Sequence, residues 1–171
     1  MTAPVVDLVV EEPAWEEALP ELGDIAEQAT RLALTGVGLS PEGFEVSLLA
    51  CDDARIAALN NEFRGKPKAT NVLSWPALSL APAHPGVAPP PPPQGSADDP
   101  CPLGDVAIAL QTCQREAKSA SKPLKNHAMH LILHGVLHLL GYDHEIEDDA
   151  GLMERIEREA LGKLGIPDPY E

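Results

Sequence analysis

His134-Gly135-Val136-Leu137-His138-Leu139-Leu140-Gly141-Tyr142-Asp143-His144 is the stretch on which the reading of this chain turns. It closes an apolar run that begins at Leu124 and includes Leu131, Ile132 and Leu133, so residues 124–140 are expected to form a helix at the centre of the molecule. Gly141 ends it, because glycine enters the left-handed conformation that closes a helix without a Cβ penalty. Residues four apart share one helix face about a turn apart, so the imidazoles of His134 and His138 can hold one ion. Three residues beyond Gly141, His144 can turn back toward the same point. Three neutral nitrogens around an open fourth position are the donor set of a catalytic zinc site rather than a structural one. Burying three partly polar rings among these leucines would be costly without a strong partner.

Five of the six histidines fall between His127 and His144. For His127 and His130 the ordinary reading is a core imidazole hydrogen-bonded through one nitrogen. His130, one turn before His134, can also support that ligand from behind. The spacing H-x3-H-x2-G-x2-H is shared with the metzincin peptidases, which place Glu directly after the first His as general base. Gly135 stands there and takes no proton, so peptide hydrolysis by that route is disfavoured. Three imidazoles suit zinc, nickel, copper or iron. One Zn²⁺ per chain is expected, with Ni²⁺ or another divalent transition metal as the alternative.

Outward from this helix the elements alternate. Residues 5–10 and 44–50 are rich in β-branched and apolar positions and read as strands, as do 72–75 and 105–110. Residues 14–34 carry apolar side chains at helical spacing (Trp15, Leu19, Leu22, Ile25, Ala29, Leu32). Asp52 or Asp53 can cap a helix running to Phe63. A further short helix fits 111–120, and 148–164 forms the last one. The order predicts an α+β fold: a small mixed sheet packed with helices, with the histidine site on a central helix and its exit loop.

A length of 171 residues makes one domain, here residues 1–171. Ten of the 18 prolines lie between Pro76 and Pro102, and such a stretch tends to polyproline II or disorder. Residues 77–102 are therefore expected to be a mobile surface insertion. Twelve bases against 27 acids give a formal charge of −15, which excludes a uniformly basic nucleic-acid coat. The bases are unevenly spread: residues 64–125 hold seven against four acids, with Arg64, Lys66 and Lys68 grouped together. Three cysteines without a CxxC pair argue against a disulfide framework or a thiolate zinc knuckle. No run reaches the ~20 apolar residues of a membrane span, and the N-terminus lacks the basic head of a secretory signal. A cytoplasmic location without membrane association is expected.

The eleven residues from His134 to His144 resemble the signature of the YbeY family, metal-dependent bacterial endoribonucleases implicated in ribosomal RNA maturation and ribosome quality control. Two further blocks agree. Leu59-Asn60-Asn61-Glu62-Phe63-Arg64-Gly65-Lys66 with Thr70-Asn71-Val72-Leu73-Ser74-Trp75-Pro76 resembles the family's segment leading into a short strand, with Trp75 where Phe is more usual. Leu103-Gly104-Asp105-Val106-Ala107-Ile108 resembles the next strand, and Asp168-Pro169-Tyr170 fits the family's ending. The likeness covers residues 44–76 and 103–170; residues 77–102 have no clear counterpart.

The resemblance implies cleavage of single-stranded RNA, with His134, His138 and His144 as metal ligands and Arg64, His134 and His138 in the catalytic set. Arg64 matches the family's functional arginine and can hold phosphate oxygens through a planar, permanently charged fork. Lys66 and Lys68 would track the RNA backbone. Asp143 either orients a ligand imidazole or caps the turn after Gly141, and Asp105 either faces the site or only begins its strand. The acidity of the chain suggests that RNA is presented by a ribosomal particle or an assembly protein. Two other readings stay open: a ribosome-assembly or RNA-binding protein in which the metal is only a folding staple, and a metallohydrolase of a non-RNA substrate.

Overall fold

The computed structural model describes residues 4–170. Its sheet has four strands, β1 (Val6–Val10), β2 (Phe44–Cys51), β3 (Val72–Pro76) and β4 (Cys101–Ala109), in the order β1-β2-β4-β3. The first three in that order run parallel, and β3 joins antiparallel as an edge. Such a mixed sheet with helices is the α+β class anticipated above. In β2 the side chains alternate: Phe44, Val46, Leu48 and Ala50 are buried, while Glu45 and Ser47 are exposed. A period of two on a strand puts that apolar set on one face, where it meets the helices.

Six helices follow in chain order: α1 (Ala14–Ala18), α2 (Leu22–Gly36), α3 (Asp53–Arg64), α4 (Leu110–Ser119), α5 (Leu124–Leu139) and α6 (Glu147–Gly162). The helix expected over 14–34 is therefore two. Pro20 lacks an amide and pushes Leu19 out of helical conformation (φ −148°), which breaks the ladder although the apolar period continues. Asp52 caps α3 by accepting from the Arg55 amide at 2.7 Å, and Gly65, at φ +67°, ends it. Strand β4 starts four residues before the expected Asp105, inside the proline-rich tract. Cys101 and Pro102 pair with β2 alone, since β3 reaches only to Gly104. The missing proline amide thus falls where β4 is itself an edge.

Helix α5 is the hub, packed against α2, α4, α6, β3 and β4. Ala128, Met129, Ile132, Leu133, Val136, Leu137 and Leu139 are buried along it. Gly135 is what lets it settle on the sheet. A Cβ there would meet Val106 Cγ1 at 2.9 Å, and the Ser74 hydroxyl donates to the Gly135 carbonyl at 3.0 Å. The residue that excludes the peptidase base is thus required by packing.

Residues 77–100 form no helix or strand but lie against the body. Leu78 packs on the core, Pro92 is buried, and the Gly86 amide donates to Asp149 at 2.8 Å. At Gly141 (φ +97°) a Cβ would run into the Leu80 carbonyl and Pro89. The segment therefore passes close against the turn that leads from α5 to His144. Among the described residues no helix is long and apolar enough to cross a membrane.

Candidate metal centre

His134 and His138 project from one face of α5, with ring centroids 4.6 Å apart, and His144 returns from the exit loop to lie 5.2 and 5.0 Å from them. One nitrogen from each ring lies within 4.8 Å of the others. The two helix residues are tightly held. His134 Nδ1 sits 2.6 Å from Oε1 of Glu157, and His138 Nδ1 sits 2.9 Å from the Tyr142 carbonyl. A carbonyl oxygen only accepts, so His138 carries its proton on Nδ1 and its Nε2 is bare. An ionised Glu157 makes the same demand of His134.

Nε2 of His134 and Nε2 of His138 face each other at 3.1 Å. With both Nδ1 atoms donating, two lone pairs point at one spot, and no hydrogen bond relieves them. Two nitrogens at 2.0–2.1 Å from one tetrahedral ion would stand about 3.3 Å apart, close to this separation. Burial, reinforced by His134 and His144 nearby, pushes the His138 imidazole down to about 4, so it stays neutral as a ligand must. The donor set therefore fits a divalent transition-metal ion.

Glu157 lies on α6 and is fully buried. Burial pushes its carboxyl up, but hydrogen bonds from His130, His134 and Tyr170 outweigh that and hold it down at about 2. It is an anion at neutral pH, and it backs the His134 imidazole. This residue was not anticipated, although a signal existed: α6 buries Met153, Ile156, Ala160 and Leu161, and Glu157 occupies a place in that apolar pattern. A carboxylate at a core position needs a partner.

A cavity of about 390 Å³ opens above the imidazoles, lined by His134, His138, Asp143 and His144 on one side and by Arg64 and residues 70–74 on the other. Arg64, the last residue of α3, donates through Nη2 to the Ser74 carbonyl at 3.0 Å. That bond lays the guanidinium across the edge of β3 toward the cavity. Lys66 and Lys68 are exposed on the loop after α3 and do not line the cavity. Asp143 accepts from the His144 amide at 2.7 Å and so caps the turn; the oxygens on the His134 and His138 rings come from Glu157 and Tyr142 instead. His130 lies 3.3 Å from Glu157. Asp105 is exposed and borders a shallow hollow with Phe63 and Trp75, away from the histidines. His127 is the core histidine expected, bonded through Nε2 to Glu116 at 2.9 Å.

A family model described as Endoribonuclease YbeY matches residues 10–165. The chain belongs to the YbeY family. Curated relatives named endoribonuclease YbeY span nearly its whole length. That of Ruegeria pomeroyi is 56% identical over 168 residues, covering 96% of this chain and 97% of its own. That of Cereibacter sphaeroides is 54% identical and covers 98% of this chain and 99% of its own. Among solved structures, a Thermotoga maritima protein determined in solution matches 97% of this chain and 99% of its own at TM-score 0.51 and 18% identity, a likeness of fold. Membership in the YbeY family gives the histidine cluster its setting, since the cluster falls inside the matched region.

Proposed function

We propose that this chain is a metal-dependent endoribonuclease that cuts single-stranded RNA in the cytoplasm during ribosomal RNA maturation. The family and its curated relatives carry the endoribonuclease name. The observation that carries the metal dependence is the pair of bare Nε2 atoms 3.1 Å apart, on the floor of a cavity whose rim is Arg64. Zn²⁺ is the ion assigned to His134, His138 and His144, with Ni²⁺ the alternative. When bound, the ion supplies a Lewis acid that withdraws charge from a phosphoryl oxygen and brings the acidity of water toward neutral pH.

The chain's own residues do the rest. Glu157 and the Tyr142 carbonyl fix the two helix imidazoles as acceptors toward the cavity. Arg64 spends one donor on Ser74 and turns the remaining fork to non-bridging phosphate oxygens, whose charge it offsets. Lys66 and Lys68, beyond the cavity, meet the RNA backbone further along its path. A chain of formal charge −15 gains little from counterion release, so a ribosomal particle or an assembly protein presents the RNA.

The test compares wild type with Arg64→Ala on a single-stranded RNA and on a neutral ester. Arg64→Ala should keep its metal and lose RNA turnover by about a hundredfold, the loss expected for one donor to a developing anion. Equal RNA turnover by both proteins would remove the role given to Arg64. Ester cleavage faster than RNA cleavage, and indifferent to Arg64, would replace the nuclease by a different metallohydrolase.

A further inference from the structure

We infer that Tyr170 is a positioning residue for the metal centre: its hydroxyl anchors the Glu157 carboxylate that holds His134 in the tautomer and orientation a cation requires. This rests on the reading of the three imidazoles as a metal site. The chain of contacts is continuous. On α6, Arg158 Nε pairs with Oδ2 of Asp168 at 3.0 Å, which pins the C-terminal segment to the helix. Oδ1 of the same Asp168 accepts from the Tyr170 amide at 2.8 Å and turns the chain inward. The Tyr170 hydroxyl then donates to Oε2 of Glu157 at 2.5 Å, and Oε1 of Glu157 accepts from Nδ1–H of His134 at 2.6 Å.

Both carboxylate oxygens are thereby engaged, and they are engaged where no water reaches, since Glu157 is fully buried. A buried carboxylate oxygen deprived of its donor is costly and seeks another, which rotates the group. Rotation would draw Oε1 off His134 and free that ring to shift its proton to Nε2, the atom aimed at His138. The competing donor is at hand: His130 Nε2 lies 3.3 Å from Oε1 and its ring stands edge-on to Tyr170 at 5.6 Å. His130 Nδ1 is buried without a partner, so the nitrogen it offers to Glu157 is Nε2.

A different reading of the same atoms would make His130, His134 and Glu157 ligands of a second cation, for their donor atoms also cluster within 4.8 Å. The 2.6 Å between His134 Nδ1 and Glu157 Oε1 is a hydrogen-bond length, whereas two ligands of one ion stand about 3 Å or more apart. The geometry favours the bond. The contact comes from the C-terminal segment beyond α6, so it ties the docking of that segment to the quality of the metal site.

The experiment uses the full chain as wild type, Tyr170→Phe and Glu157→Gln, with Zn²⁺ affinity read by competition against a chromophoric chelator. Tyr170→Phe keeps the ring against His130 and removes only the hydroxyl. Zn²⁺ affinity should fall about tenfold in Tyr170→Phe and between about ten- and a hundredfold in Glu157→Gln, the range for partners that orient a ligand histidine. In metal-free protein, ¹⁵N shifts of the His134 ring should report the Nδ1–H tautomer in wild type and a mixture in Glu157→Gln. Equal Zn²⁺ affinity in wild type and Tyr170→Phe, with or without a lower melting temperature, would overturn the inference and leave the metal site standing. A stoichiometry falling from two to one in Glu157→Gln would also overturn it, by making Glu157 a ligand. Wild type that binds neither Zn²⁺ nor Ni²⁺ would overturn the metal reading itself.

Discussion

His134 and His138 ride on one buried helix with both Nδ1 atoms tied to protein oxygens, whereas His144 stands exposed on the loop that leaves it, its ring without a hydrogen-bond partner among the described residues. The centre is half prebuilt and half supplied by a loop. The helix pair can be rigid because α5 is clamped on every side, down to the bare Cα of Gly135 against Val106. The loop imidazole depends on a capped turn, on Gly141, and on the proline-rich segment that lies against that turn. Preorganised donors lose little freedom on binding, so affinity should concentrate in the helix pair and the third ring should complete the coordination sphere.

The contrast can be broken most sharply at the pair itself. His138→Ala should lower Zn²⁺ affinity by more than about a hundredfold, beyond the loss seen when only an orienting partner is removed, and cleavage should go with it. Equilibrium dialysis and RNA digestion of the same preparation check both. His144→Ala should cost about tenfold less in Zn²⁺ affinity than His138→Ala, because two anchored nitrogens remain. A loss as large as that of His138→Ala would erase the distinction between the halves. The smallest effect is on stability: Gly135→Ala should cost about 1–3 kcal/mol by overpacking against Val106, read from a denaturant midpoint at unchanged slope.

The same division explains what could be read from the sequence. His134 and His138 were legible because helix period and residue type are both local, and His144 because Gly141 marks the exit. The split at Pro20 was masked by an apolar period that runs through it. The first residues of β4 were hidden by Pro102 and Gly104, which look unlike a strand until the unpaired side of that edge is known. Strand order was out of reach, since β4 enters between β2 and β3 by contacts distant in sequence. Glu157 left a faint trace as a carboxylate in an apolar helix face. Tyr170 stood out only as part of the Asp168-Pro169-Tyr170 ending, and its bond to Glu157 left no trace, because a contact made by a C-terminal segment has no period to announce it.

RNA cleavage should depend on one cation held by the three converging imidazoles. This dependence is tested most directly by digesting a single-stranded RNA with protein carrying graded amounts of Zn²⁺, from chelated to one ion per chain, beside His138→Ala. Cleavage should rise in proportion to loading, stop rising at one ion, and be absent from the variant at every loading. Cleavage that ignores loading, or persists undiminished in His138→Ala, would contradict it.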